Sequence, residues 1–124
     1  MGTVFTEGRR PAEFIISEGP HCYSRDVVSV AAGAKLDPGT VVGMVTATGL
    51  VTALNPATDP ADGSETAYGV LMYPALAADA AVKVTAIVRD AQVNSRTLAW
   101  PEGITAEQKA AAVTALAARG IIVR

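Results

Sequence analysis

A β fold is written most plainly in Val82-Lys83-Val84-Thr85-Ala86-Ile87-Val88-Arg89. Val82, Val84, Ala86 and Val88 alternate with Lys83, Thr85, Ile87 and Arg89, the period of two that lines one face of a half-buried sheet. The neighbouring sequence reads the same way. Tyr68 to Tyr73 forms a strand upstream, and Asp90 to Val93 extends or follows the first one. Thr40 to Thr46 and Leu50 to Leu54 flank Ala47-Thr48-Gly49, which predicts a hairpin with a three-residue loop. Asp37-Pro38-Gly39 enters it as a type II turn, with Pro38 setting φ and Gly39 supplying a positive one. Gly43 within the first of these strands predicts a bulge or a close backbone approach. Val27 to Val30 is a further strand. Ala75 to Ala81 is too short for an independent helix and reads as a turn or a single helical turn.

One helix is clear. Thr105-x-x-Gln108 is a capping box, Glu107 suits the first turn, Ala106 to Ala118 has strong helix propensity, and Gly120 stands where the chain must leave the helix. Val113, Leu116 and Ala117 are the predicted buried stripe. Ile121-Ile122-Val123 beyond it must be a strand or a docked tail, because three free aliphatics would be sticky.

Residues 1–26 read as an extended N-terminal arm, with residues 27–124 as the domain. Prolines at 11 and 20 and glycines at 2, 8 and 19 surround one short apolar run, Phe14-Ile15-Ile16. That is too little to fold alone, so the arm either pairs as a terminal strand with its own domain or orders on a partner by strand addition. Asn55 to Thr66 is a loop by chemistry. Its Asp59, Asp62 and Glu65 lack the order and spacing of a calcium loop, and they read as a solvated acidic stretch.

Composition excludes several classes of function. The chain has 124 residues, 50% of them hydrophobic, with 18% charged and a net charge of −2. This is one domain large enough to fold without disulfides or a structural metal. The apolar half is mostly Ala and Val, with few large anchors, which favours association with copies or a partner. Nothing before Pro11 forms a signal peptide, and the longest apolar candidate, Leu71 to Val82, is broken by Pro74 and Asp79. The chain reads as soluble. Arg9-Arg10 is its only basic doublet and is flanked by Glu7 and Glu13, so no nucleic-acid surface is expected.

Catalytic patterns are missing as well. Adjacent His21 and Cys22 on an extended segment point to opposite faces and do not form a dyad. A single His cannot supply a two-His metal site. No phosphate-binding, dinucleotide-binding or nucleophile-elbow motif occurs. The expectation is therefore a protein that is not an enzyme, with no catalytic residues, cofactor, metal or small-molecule substrate.

Asp90-Ala91-Gln92-Val93-Asn94, then Leu98-Ala99-Trp100-Pro101, then the capped helix and Leu116-Ala117-Ala118-Arg119-Gly120-Ile121-Ile122-Val123-Arg124 form a distinctive order. With Ser24-Arg25-Asp26, the Leu36-x-x-Gly39-Thr40-Val41-Val42-Gly43 strand entry and Ala67-Tyr68-Gly69-Val70-Leu71, this order resembles the bacteriophage head decoration protein family over nearly the whole chain. The resemblance implies a mainly β domain of the β-clip or β-tulip type, with a small α part at about 106–118. It implies a homotrimer on the outside of the expanded capsid, at three-fold positions, bound to the major capsid protein and made in the host cytoplasm. Phe14, Ile15 and Ile16 are then the expected docking residues, and Ser24, Arg25 and Asp26 their hinge or anchor. Trp100, Pro101, Val113 and Leu116 are expected in core or trimer packing. A stand-alone β-clip-type module binding a small ligand or glycan is the alternative.

Overall fold

The computed structural model describes residues 8–56 and 62–124. Asp59 lies outside them. The strands are β1 (Ile15–Glu18), β2 (Arg25–Val30), β3 (Ala34–Leu36), β4 (Val41–Met44), β5 (Val51–Ala53), β6 (Ala67–Leu71), β7 (Ala75–Ala77), β8 (Val82–Ile87), β9 (Ala91–Val93) and β10 (Ile121–Val123). Among the described residues one α-helix, α1 (Ala106–Ala118), precedes β10, and a short 3-10 turn (Pro20–Cys22) separates β1 from β2. With 38% strand against 14% helix, the molecule is mainly β, as expected.

Strands β2, β5, β4, β6 and β8 close into a small barrel. Its longest ladder pairs β2 with β8 antiparallel, from Arg25 opposite Ile87 to Val30 opposite Val82. Val28, Val30, Val42, Val51, Val84, Ala86 and Val88 fill the interior with Leu71. A barrel of few strands has room only for side chains of this size, which accounts for the Ala and Val surplus. The ribbon formed by β3 and β7 adds Ala75 and Ala77 to this cluster.

A second core lies on the other side of the barrel wall. Phe14, Val41, Val70, Met72, Ile87, Leu98, Leu116 and Ile121 meet there. Ile87 corrects the simple alternation read for Val82 to Arg89: it belongs to the Lys83 set, yet it is fully buried. At that end α1 and the small sheet cover the face that elsewhere meets water. The small sheet has β9 at its centre, with β1 antiparallel on one side and β10 parallel on the other.

Ala75 to Ala81 is not a helical turn. Ala75 and Ala77 are buried, Leu76 is 65% exposed, and β7 pairs with β3, a strand the sequence reading passed over. Tertiary pairing outweighs the helix preference of alanine here. Asp90 to Val93 does not extend β8. Asp90 adopts φ 43°, a left-handed conformation that Asp tolerates, and the chain turns there into the second sheet. The hairpin loop is one residue longer than expected, since Val45 N–H donates to Leu50 C=O while Thr46 N–H donates to Asp62 C=O. The 37–40 turn forms, with Gly39 at φ 84°.

Helix α1 has the predicted bounds and capping box, with Gly120 at φ 82° beyond it. Its buried stripe is rotated from the predicted one: Ala112 and Leu116 are buried, Ala115 packs partly against the core, Val113 is half-buried and Ala117 is exposed. Ala112, Ala115 and Leu116 stand at i, i+3 and i+4, one face of the helix.

Candidate functional site

The predicted docking residues fall on and around β1, and the fold treats them differently. Phe14 is fully buried in the second core, with its C=O accepting from Asn94 N–H at 2.7 Å. Its ring is held by the protein itself. Ile15 is half-buried against the same core, and Ile16 is 53% exposed. The β1 to β9 register shifts between Ile15 and Ser17, so Ile16 sits in a bulge, a device that re-aims a side chain. Gln92 stands opposite both Ser17 and Ile122, and Ile122 is 41% exposed. Strand partners share a face, so the outer surface of the small sheet carries Ser17, Gln92 and Ile122, with Ile16 bulging beside them. Ile122 was missed as a contact candidate. Its signal was the sticky Ile121-Ile122-Val123 run, of which Ile121 is buried and Ile122 is not.

Ser24, Arg25 and Asp26 each tie the start of β2 to something else. Ser24 is completely buried: its Oγ accepts from Gly19 N–H at 2.7 Å and donates to Asp90 C=O at 2.6 Å. Its own C=O accepts from Val88 N–H at 2.9 Å. One hydroxyl thus joins the exit of β1 to the turn between β8 and β9. Arg25 donates to Glu18 through Nε at 2.9 Å and Nη2 at 2.5 Å, a bidentate pair that is partly exposed. Such a pair contributes about 0–1 kcal/mol and acts mainly by fixing direction. Asp26 accepts from Arg89 at 3.2 Å, and Arg89 also donates to Tyr23 C=O at 2.7 Å.

These differences set an expected order of effects. Ser24→Ala removes two part-buried hydrogen bonds, to Gly19 N–H and Asp90 C=O, and is expected to lower stability by about 1–3 kcal/mol, whereas Arg25→Ala costs under about 1 kcal/mol. Urea unfolding of the two variants reads this directly, and equal losses would count against Ser24 as the anchor.

Leu116 is fully buried in the second core. Trp100 packs partly against it, with Lys109 Nζ 5.2 Å from its ring centre. Its indole N–H is buried without an acceptor among the described residues. Pro101 and Val113 are half-buried. The 3-10 turn replaces the extended segment expected at His21-Cys22, and His21 is exposed at φ 55°.

The acidic loop organises itself. Asp62 Oδ1 accepts from Ser64 N–H at 2.9 Å and Ser64 Oγ–H at 2.5 Å, and these bonds hold its pKa below the usual carboxylate value. Glu65 Oε2 accepts from Gly63 N–H at 2.9 Å. Among the described residues no three or more His, Cys, Asp or Glu gather as metal ligands, and no helix is long and apolar enough to cross a membrane.

The site is therefore a surface: a bulged edge strand with an outward isoleucine, seated by a buried phenylalanine and clamped by a buried serine. No curated relative matches the chain. The family model for the bacteriophage lambda head decoration protein D matches residues 4–121. That match spans the barrel, the β3 to β7 ribbon, the helix and the clamp, so the chain belongs to the phage lambda head decoration protein D family, structural proteins of the phage capsid.

Proposed function

We propose that the protein is a capsid cement: a homotrimer that binds the outside of the expanded phage head at three-fold positions, contacts the major capsid protein, and stabilises the shell against internal DNA pressure. Family membership is the observation that carries this reading. Binding only the expanded lattice stabilises that lattice by linkage, and three linked subunits turn later contacts into intramolecular ones.

Within residues 1–26, the reading divides the work. β1 is an edge strand, paired on one side by β9, and a free edge is a template for an added strand. Ile16 is the outward contact. Phe14 and Ile15 seat the strand, and Ser24, Arg25 and Asp26 hold it in register with the barrel. Residues 1–7 lie outside the described residues and complete the proposed arm. Trp100, Pro101 and Val113 are the proposed packing residues toward sister subunits, beside the buried Leu116. The protein is made in the host cytoplasm and acts without catalysis.

Co-sedimentation with expanded and unexpanded heads tests this, with light scattering for mass. The expected result is a trimer that pellets with expanded heads alone. Binding should fall at least tenfold for Ile16→Asp and for a chain lacking residues 1–7, each with unchanged unfolding. Equal binding by the wild type and both variants would remove the arm from the proposal, and no binding by the wild type would remove the proposal itself.

A further inference from the structure

A closed ring of three identical subunits needs two different surface patches that fit each other, one from each neighbour. Two candidate patches are present. The first is a concave groove of about 430 Å³ between α1 and the β4 to β6 wall, lined among others by Met44, Ala67, Tyr68, Ala115, Ala118 and Arg119. Its lining is largely apolar, and one fixed cation stands in it. The Arg119 guanidinium carbon lies 4.2 Å from the Tyr68 ring centre, and Arg119 Nε donates to Val88 C=O at 3.1 Å. Stacking and that bond orient the group, and no carboxylate among the described residues pairs with it. An arginine held in this way is preorganised for a carboxylate.

The second patch is the β3 to β7 ribbon, where Lys35, Leu76 and Ala78 border a shallow depression of about 390 Å³. There Leu76, at 65%, is the most exposed large apolar side chain among the described residues. Ala78, Asp79, Ala80 and Ala81 follow it, all exposed, and Asp79 has no cationic partner among the described residues. The small side chains around Asp79 allow close approach. Lys35 stands directly opposite Leu76 on the ribbon, and Asp62 and Glu65 flank Gly63, which lines the groove. Each patch thus carries an apolar centre and charges of both signs, so that Asp79 can meet Arg119 while Lys35 meets Asp62 or Glu65.

We infer that the occupant of the groove is the Leu76–Asp79 ribbon of a second copy, with Leu76 against the apolar lining and Asp79 on Arg119. This rests on the trimer reading and names the surfaces that close it.

Charge exchange tests the pairing. Light scattering on the full chain should give a trimer for the wild type and a monomer for Asp79→Arg and for Arg119→Asp. The double exchange should restore the trimer. Because Arg119 also supports Val88, Ala118→Glu, at an exposed helix position, serves as a second groove variant, and circular dichroism verifies that each variant folds. Ala118→Glu is also expected to be monomeric. A trimeric wild type whose folded Asp79→Arg and Ala118→Glu variants stay trimeric would overturn this pairing and leave the trimer standing. A monomeric wild type would overturn both.

Discussion

Phe14→Ala is expected to lower unfolding free energy by about 3–5 kcal/mol, the range for truncating a buried phenylalanine. Against a total of about 5–15 kcal/mol for a domain, that is a large share. The cost arises because Phe14 is fully buried among Val41, Met72, Ile87 and Leu116 rather than held out for a partner. The ring also seats β1, whose start is fixed by Ile15 N–H donating to Ala12 C=O at 3.2 Å and Asn94 N–H donating to Phe14 C=O at 2.7 Å. Its loss should loosen β1 before the barrel, so hydrogen exchange should rise first at Ile15 to Glu18. Two residues on, Ile16→Ala should change stability by under about 0.5 kcal/mol, as an exposed position does. Urea midpoints of the pair decide the point. If the two variants unfold alike, residues 14–18 are not part of the domain's own core.

The second large effect is expected at Gly43. A Cβ there would stand 2.7 Å from the Ser64 carbonyl carbon and 2.8 Å from its Cα, both backbone atoms that no rotamer change can move. Gly43→Ala is therefore expected to cost about 3 kcal/mol, the upper end of overpacking. The strain falls where β4 already shifts register against β6, between Val42 and Gly43. The clash pushes on Ser64, whose hydrogen bonds to Asp62 organise the acidic loop, so that loop should be disturbed as well. Gly8→Ala is the control: nothing lies within 4 Å of its added methyl, and it is expected to be neutral. Thermal unfolding that leaves Gly43→Ala within a degree of Gly8→Ala would show that the wall at Ser64 yields.

Local rules reached far into this molecule. The capping box placed α1 to the residue, Gly39 and Gly120 took the positive φ their positions asked for, and Gly43 combined the bulge and the close approach that a glycine within a strand suggests. The misses have one origin. Ala75 to Ala77 is a strand because Ala34 to Leu36 pairs with it, Ile87 is buried because α1 covers the outer face of β8, and the α1 stripe turns because of where β6 meets it. In each case a partner distant in sequence outweighs a local preference. The candidate site followed the same division. The motif at Ser24 to Asp26 was legible, but the separation of inward Phe14 from outward Ile16 depends on a bulge against β9, and Ile122 joins that face only through a parallel pairing. The groove at Arg119 and Tyr68 joins residues far apart in sequence.

The three-stranded sheet draws its outer strands from opposite ends of the fold, β1 near the beginning and β10 after the helix, on either side of β9. Such pairing is non-local, which slows folding, and it also sets an order of events during synthesis. A nascent chain that has not yet released Ile121 to Val123 has no partner for the far edge of β9. The face bearing Ile16 and Ile122 is then absent as a unit.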